Sequence, residues 1–504
     1  MSTKFGWSKK EYSLNEPVNI NGQMYMRKSY GIHDPLFMTV LAIEGDNGFD
    51  SAIFCSIDMT VIRGGIITDT ISMLKEQRPD IPADYVIMNA THTHSAMDCL
   101  TSAEQFPDGS ELFNGKKVQP HMVKTAFDAI CEAWDSRKEG YMAFGYGYAV
   151  VGHSRRSTYG VDMSLKNPNA VAPNGHSVMY GNTNDPDFYG YEAGADHFLN
   201  AVYTFDTNEK LTGIIVNIPC PSQLSEHFYQ LSADYWCEVR EEIAKEFGSN
   251  VFVLPQCSAG GDISPRILHY KDAQKRRFAL KYGANTNYDG KIVPTEAEYV
   301  KVMGERRDIA EHVVESVKEI YDWAKKDIRK DFPVRHMVET LPLKRRMITE
   351  EEAVWAKENI KQMESAIPDP KDATPQEVTI AVSRYNAIKG RNERALKRYE
   401  VQNENPTIES IVHCVQLGDV AFCTNRFELY IDFMHRMQAR SPFIQTFIVQ
   451  LAGDEGGSYL PTDRAVWGKG YSASLFCNQV GPEAGQQIVE ASLNMLNEMK
   501  EKDA

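Results

Sequence analysis

No apolar run in the 504-residue chain approaches the ~18 residues that a membrane span needs, and the first ten residues, Met-Ser-Thr-Lys-Phe-Gly-Trp-Ser-Lys-Lys, have no apolar core. The first absence argues against a spanning helix and the second against a secretory leader, so a cytoplasmic protein is expected. Basic stripes with interleaved aromatics are missing too, and the net charge is −15. So acidic a chain repels phosphate backbones and anionic lipid, which leaves a small-molecule substrate and neither nucleic acid nor membrane as the expected partner. No CxxC pair occurs among the nine cysteines, which excludes a zinc ribbon and a thioredoxin-type motif. Cys55, Cys131, Cys257 and Cys423 lie in apolar, strand-like surroundings that suit free thiols in a reduced compartment. Internal repeats and low-complexity segments are absent, and so is the GxSxG nucleophile elbow.

What is present is one pattern met five times: an apolar, β-prone run ending in a polar, reactive turn. Asp84-Tyr-Val-Ile-Met-Asn-Ala runs into Thr91-His92-Thr-His94-Ser95. Leu211–Asn217 runs into Ile218-Pro-Cys220-Pro-Ser-Gln223, and Val251–Leu254 into a turn holding Gly260-Gly-Asp262-Ile-Ser264-Pro265. Val420–Cys423 runs into Thr424-Asn-Arg-Phe-Glu428, and Thr446–Leu451 into a glycine-rich turn ending at Tyr459. Continuous apolar runs of this length predict strands buried on both faces, as in an α/β sheet, where sites collect beyond the carboxyl ends of the strands. If the His92-Thr-His94 segment stays extended, both imidazoles point to one side and share a metal or a substrate group. The plainer alternative is a polar strand end whose histidines bond nearby backbone.

The expected fold class is α/β: a large mixed-sheet catalytic domain spanning residues 1–504. Its opening reads β-β-α-β, from Met38–Ile43 and Ala52–Ile57 through a helix at Ile66–Lys75 to the His92 strand. Residues 160–197, rich in Asn, Pro, Gly, Asp and Tyr, predict a long loop or lid. Residues 345–402 predict a helical hairpin inserted in the domain. Thr349-Glu-Glu-Glu caps its first helix, Pro368-Asp-Pro370 breaks it, and a second helix runs from about Gln376 to Glu400. A solvated surface is one reading of this hairpin, and a contact that builds a homo-oligomer is the other.

Taken together and in order, these motifs resemble the neutral, non-lysosomal ceramidases, which are zinc-dependent amidases. Tyr30-Gly-Ile-His33 is similar to that family's GIH segment, Ala90-Thr-His92-Thr-His94-Ser95 to its ATHTHS motif, and Gly261-Asp-Ile-Ser-Pro265 to its GDVSP motif. Arg156, in His153-Ser-Arg-Arg-Ser157, falls at its NRS segment, and Phe427-Glu428 at its PGEF glutamate. Tyr459-Leu-Pro-Thr462 resembles its YxTT segment, with Tyr471 at the next tyrosine. The resemblance implies zinc held by His92, Glu428 and Tyr459, with His94, Arg156 and Tyr471 beside it in catalytic positions. It places Ser264 in the substrate pocket; with no activating partner visible near its turn, this serine is expected to position substrate and not to act as the nucleophile. Gln223 and Asp262, on the neighbouring turns, are expected to contact substrate, Asp262 having a turn-forming role as its alternative. Zinc suits nitrogen and oxygen donors, lowers the pKa of its water and polarises a carbonyl.

Two departures stand out. Where the family has its second zinc histidine, in a segment HGTS, this chain has Cys220, followed by Pro-Ser-Gln. Cys220 is expected as the fourth ligand; the alternatives are a site remodelled with Glu226 or His227, or no metal. The family's C-terminal β-sandwich also has no counterpart here. The expected activity is therefore hydrolysis of an amide or similar bond in a small, polar, soluble substrate. A carbohydrate-active lyase or glycosidase using the same pocket, and a non-catalytic binding protein with a degenerate site, remain open.

Overall fold

Ser51–Ile57 and Val86–Ala90 are buried along their whole length, which is why each reads as an unbroken apolar run and not as an alternation. They form one edge of an eight-stranded mixed sheet in the computed structural model, which describes residues 3–45, 50–100, 115–166, 174–282, 296–363 and 371–503. From the other edge, the order is Phe252–Cys257, Leu211–Ile218, Phe198–Asp206, Lys138–Tyr148, Lys4–Glu11, Phe37–Glu44, Ser51–Ile57, Val86–Ala90. Each edge pair is parallel and the inner neighbours are antiparallel.

A second sheet orders Val334–Lys344, Thr407–Leu417, Val420–Thr424 and Gln445–Val449, the last two parallel. The sheets pack face to face through an aromatic and aliphatic layer, with Phe54 against Phe422 at 5.0 Å and Phe5 against Phe332 at 6.3 Å between ring centroids. Each fully buried Phe contributes about 1.5–3 kcal/mol. Helices cover the outer faces. Ile66–Gln77, Gly115–Asp135, Trp236–Phe247 and Glu296–Ala324 lie on the large sheet, and Ile431–Arg440 and Pro482–Glu501 on the small one.

The α/β expectation holds, with a correction to its geometry. The five motif-bearing strand ends are divided, three on the large sheet and two on the small one. Packing of the two sheets brings them together, and hydrogen bonds across the join hold them. Ala90 N donates to Leu451 O at 3.2 Å, Gln450 N to Cys257 O at 3.1 Å, and Asn217 Nδ2 to Ile448 O at 2.9 Å. The buried Gln450 side chain accepts from Gly260 N and Leu429 N, each at 3.0 Å, and so ties two of the reactive turns to a third strand end.

The hairpin helices run Glu350–Met363 and Pro375–Val401. Both start on reciprocal caps, Thr349 with Glu352 and Thr374 with Glu377. The expected break at Pro368–Pro370 lies outside the described residues, as does part of the 160–197 loop. The hairpin is solvated on one side only. Ser383 Oγ accepts from Met26 N at 3.0 Å, Arg398 donates to Leu475 O and Asn478 O at 2.7 and 3.0 Å, and the Arg391 guanidinium covers the Phe476 ring at 4.7 Å. It rests on the segment that follows Tyr471.

Candidate active site

The strand before His92 ends at Ala90, and His92 itself turns into the left-handed region at φ +66. The extended geometry expected of His92-Thr-His94 is therefore corrected: the rings converge because the backbone folds over. They meet edge to face, 4.8 Å between centroids, with their Nε2 atoms 3.4 Å apart. Left-handed φ at a non-glycine residue costs about 1–3 kcal/mol and persists where surrounding contacts enforce it. Tyr180, Asp234 and Leu451 share that conformation.

His92 is buried, and its Nδ1 lies 2.7 Å from the Thr60 carbonyl oxygen. A carbonyl only accepts, so the proton sits on Nδ1 and Nε2 points its lone pair at Glu428 Oε2, 3.4 Å away. Glu428 comes from the other sheet's strand end and pairs in parallel register with Tyr459. Its Oε2 is buried without a hydrogen-bond partner. Burial alone would raise the Glu428 carboxyl, but neighbouring positive charge, that of Arg155 included, outweighs it and holds it below the usual carboxylate range.

Arg155 Nη2 lies 3.5 Å from Glu428 Oε2 and donates to the Tyr459 hydroxyl at 3.4 Å and to Gly261 O at 2.9 Å. Burial opposes its charge, but Tyr459, Tyr180 and Glu428 together keep its pKa well above the ordinary value. Arg156 is the second correction. Its guanidinium forms a two-pronged pair with Glu192 at 2.8 and 2.7 Å and donates to Ser472 Oγ at 3.1 Å. Successive residues of an extended segment face opposite ways, so only one of the two arginines reaches the site.

Behind His94 stands Glu226, its Oε2 3.5 Å from His94 Nδ1. Gln23 and Arg266 hold that carboxylate in place. Burial raises the Glu226 pKa, but Arg266 and His94 bring it well below the usual range, so Glu226 is ionised. Burial is also the main reason the His94 pKa is lowered, against the pull of Glu226. Gly22 packs directly on this ring: a Cβ there would come within 2.6 Å of His94 Cβ.

Cys220 does not join the group. Its buried thiol points at Val151 O, 3.4 Å away, and burial pushes its pKa well up. Glu226 faces the edge of His94 remote from His92, and His227 Nδ1 is bound to the Tyr25 hydroxyl at 3.1 Å, so neither replaces Cys220. Among the described residues, no group of three or more His, Cys, Asp or Glu side chains is arranged to hold a metal ion. A set of one His, one Glu and one Tyr contains only two such side chains. Two ligands about 2.0–2.1 Å from one tetrahedral ion stand about 3.4 Å apart, the separation of His92 Nε2 and Glu428 Oε2.

Ser264 is buried and its Oγ accepts from Arg266 N at 3.1 Å; no hydrogen bond joins it to His153, its cross-strand neighbour. Nothing beside it activates the hydroxyl. Asp262 is engaged away from the histidines. Its Oδ1 accepts from Ile431 N at 3.1 Å, outside its own turn, at the start of the Ile431–Arg440 helix. Gln223 donates to the Tyr180 hydroxyl, which also accepts from Arg155 Nη1 at 3.2 Å. Tyr471 stands edge-on to Tyr459, 6.1 Å between rings, and the Cys477 thiol and burial raise its pKa, keeping it protonated.

Sequence reading misses Arg155, Tyr180 and Arg266. Arg266 directly follows the GDISP turn, a signal that was there to use; the choice between Arg155 and Arg156 had none.

No family model and no curated protein matches the sequence. The fold is that of the neutral ceramidases. The crystal structure of neutral ceramidase from Pseudomonas aeruginosa superposes with a TM-score of 0.66 at 16% identity, over 100% of this chain and 75% of that one. A ceramidase complexed with C2 gives 0.65 at 15% identity, over 100% and 76%.

Proposed function

We propose that this chain is a hydrolase that cleaves an amide or similar acyl bond in a small, polar substrate. One divalent cation, zinc by the chemistry of the donors, would be held by His92, Glu428 and Tyr459. The observation that carries this reading is the approach of His92 Nε2 to a partnerless Glu428 Oε2 in a buried site, with Arg155 alongside. The shared fold with proteins named ceramidases supports it.

When bound, the cation supplies a Lewis acid that polarises the carbonyl and lowers the pKa of water. Arg155 donates N–H groups to the carbonyl oxygen as negative charge develops there. His94, neutral through burial, takes a proton from the attacking water at Nε2 and returns it to the leaving nitrogen. Glu226 stands 3.5 Å from Nδ1 and stabilises the imidazolium as it forms. The surrounding side chains, Gln23, Tyr25, Gln223 and His227, are polar and tied to one another or to the site. Such a wall favours hydroxylated or charged substrates over a long acyl chain.

The test is a product screen. Purified protein is incubated with N-acyl amino acids and N-acetylated sugars, with and without added zinc, and free amine is measured. Amine release that disappears in His92→Ala supports the proposal. Release of an unsaturated sugar in place of amine would replace hydrolysis with elimination, and release unchanged in His92→Ala would remove this site from the chemistry.

A further inference from the structure

A second cleft, of about 350 Å³, opens between the Val86–Ala90 edge strand, the start of the Ile66–Gln77 helix and the outer strands of the small sheet. Ile71, Met88 and Ile411 give it apolar walls. His413 also lines it. The His413 ring is the end of a relay that fixes its proton. His336 Nδ1 lies 3.0 Å from the Ser51 carbonyl, which only accepts, so His336 carries its proton on Nδ1 and presents a bare Nε2. That Nε2 is 3.0 Å from His413 Nδ1, which must therefore donate. The Tyr85 ring stacks on His336 at 4.6 Å and holds it in register. Burial lowers the pKa of His336 to about 3 and that of His413 to about 4, so both rings stay neutral.

His413 is thereby left with Nε2 as an acceptor on a cleft whose walls are partly apolar. Thr340 and Glu409 lie on the same wall, and two further polar groups there are already engaged. Asp454 accepts from Ile67 N and Thr68 N at the helix start, and Arg426 donates to Glu455 O. We propose that this cleft is a second ligand site, for a small apolar molecule carrying one O–H or N–H donor that bonds to His413 Nε2. Its volume falls in the usual range of small-molecule sites, and His413 offers a directional acceptor beside apolar walls.

Phenol is the probe, with toluene as the matched molecule lacking the donor. In the full-length protein, the His413 Nε2 resonance is followed by long-range ¹H–¹⁵N correlation as each is added. Phenol is expected to shift Nε2 and toluene to leave it in place. Affinities read by calorimetry extend the test to the variants: His413→Phe should weaken phenol at least tenfold and leave toluene unchanged. Ile411→Trp, at a half-exposed position that tolerates substitution, should fill the cleft and exclude both. Equal response of Nε2 to phenol and toluene, no response to phenol, or phenol binding unaffected by Ile411→Trp would overturn the proposal.

Discussion

Glu428 Oε2 and His92 Nε2 stand 3.4 Å apart, both buried, with no hydrogen bond aligned between them. Two lone pairs that face each other in a dry site repel unless something positive lies between. A proton or a cation satisfies both. The spacing is that of two donors on one tetrahedral ion, and Tyr459, the third donor proposed, is paired with Glu428 across two short strands.

Metal content follows from that relationship. Protein purified without chelators is expected to carry near-stoichiometric divalent metal by elemental analysis, and His92→Ala to lose most of it. Cys220→Ser should keep the metal, because its thiol is turned to Val151 O. A fully active metal-free protein would refute the assignment.

The adjacent arginines should separate cleanly. Arg155→Lys is expected to lower kcat by about 10²-fold, as when one donor to a developing oxyanion is lost, with little change in melting temperature. Arg156→Ala leaves Glu192 buried and unpaired, and should destabilise by about 3–5 kcal/mol while the folded fraction keeps its activity. Turnover per folded molecule and thermal unfolding, measured on both variants, decide it. The reverse pattern would put Arg156 in the chemistry.

Gly22 offers a test of His94 that leaves the ring itself intact. An added methyl overlaps His94 Cβ at 2.6 Å, and φ is +109. Displacing a catalytic group by about 1 Å costs on the order of 10²-fold in rate. Gly22→Ala is expected to lose that much turnover. Gly31→Ala has a similarly unfavourable φ of +152 but meets nothing within 4 Å, so it should lose stability without this loss of rate. Equal rates in the two variants would show that His94 position does not limit the reaction.

Asp262 should make stability depend on pH. Burial pushes its carboxyl up to about 7, against about 3.9 in an unfolded chain. Below about 4 both states are protonated and the group contributes no pH dependence. Between about 4 and 7 the folded protein holds a proton that the unfolded chain has released, so stability falls as pH rises, by an amount on the order of a few kcal/mol. Asp262→Asn still offers Oδ1 to Ile431 N and carries no charge. Urea unfolding at pH 5 and pH 8 should show the variant gaining on the parent at the higher pH. A constant difference between them would disprove the raised carboxyl.

Much of the framework is legible in the residues alone. Buried strands have to be apolar on both faces, and that requirement writes Ile53–Ile57 and Val86–Ala90 as unbroken runs whatever their partners. The Thr349 and Thr374 caps are local too, made within four residues. The His92 and Glu428 turns stand out because reactive side chains follow such runs directly. Which atoms meet was decided elsewhere. His92 faces Glu428 only because two sheets stack and bring the Leu451 backbone to Ala90. Arg155 faces inward, Arg156 pairs with Glu192, and the Cys220 thiol turns to Val151 because of strand pairings dozens to hundreds of residues away in the chain. Side-chain direction alternates residue by residue, while composition and motif spacing locate a turn only as a whole. The tertiary register therefore chose between neighbours that the sequence presents as equals.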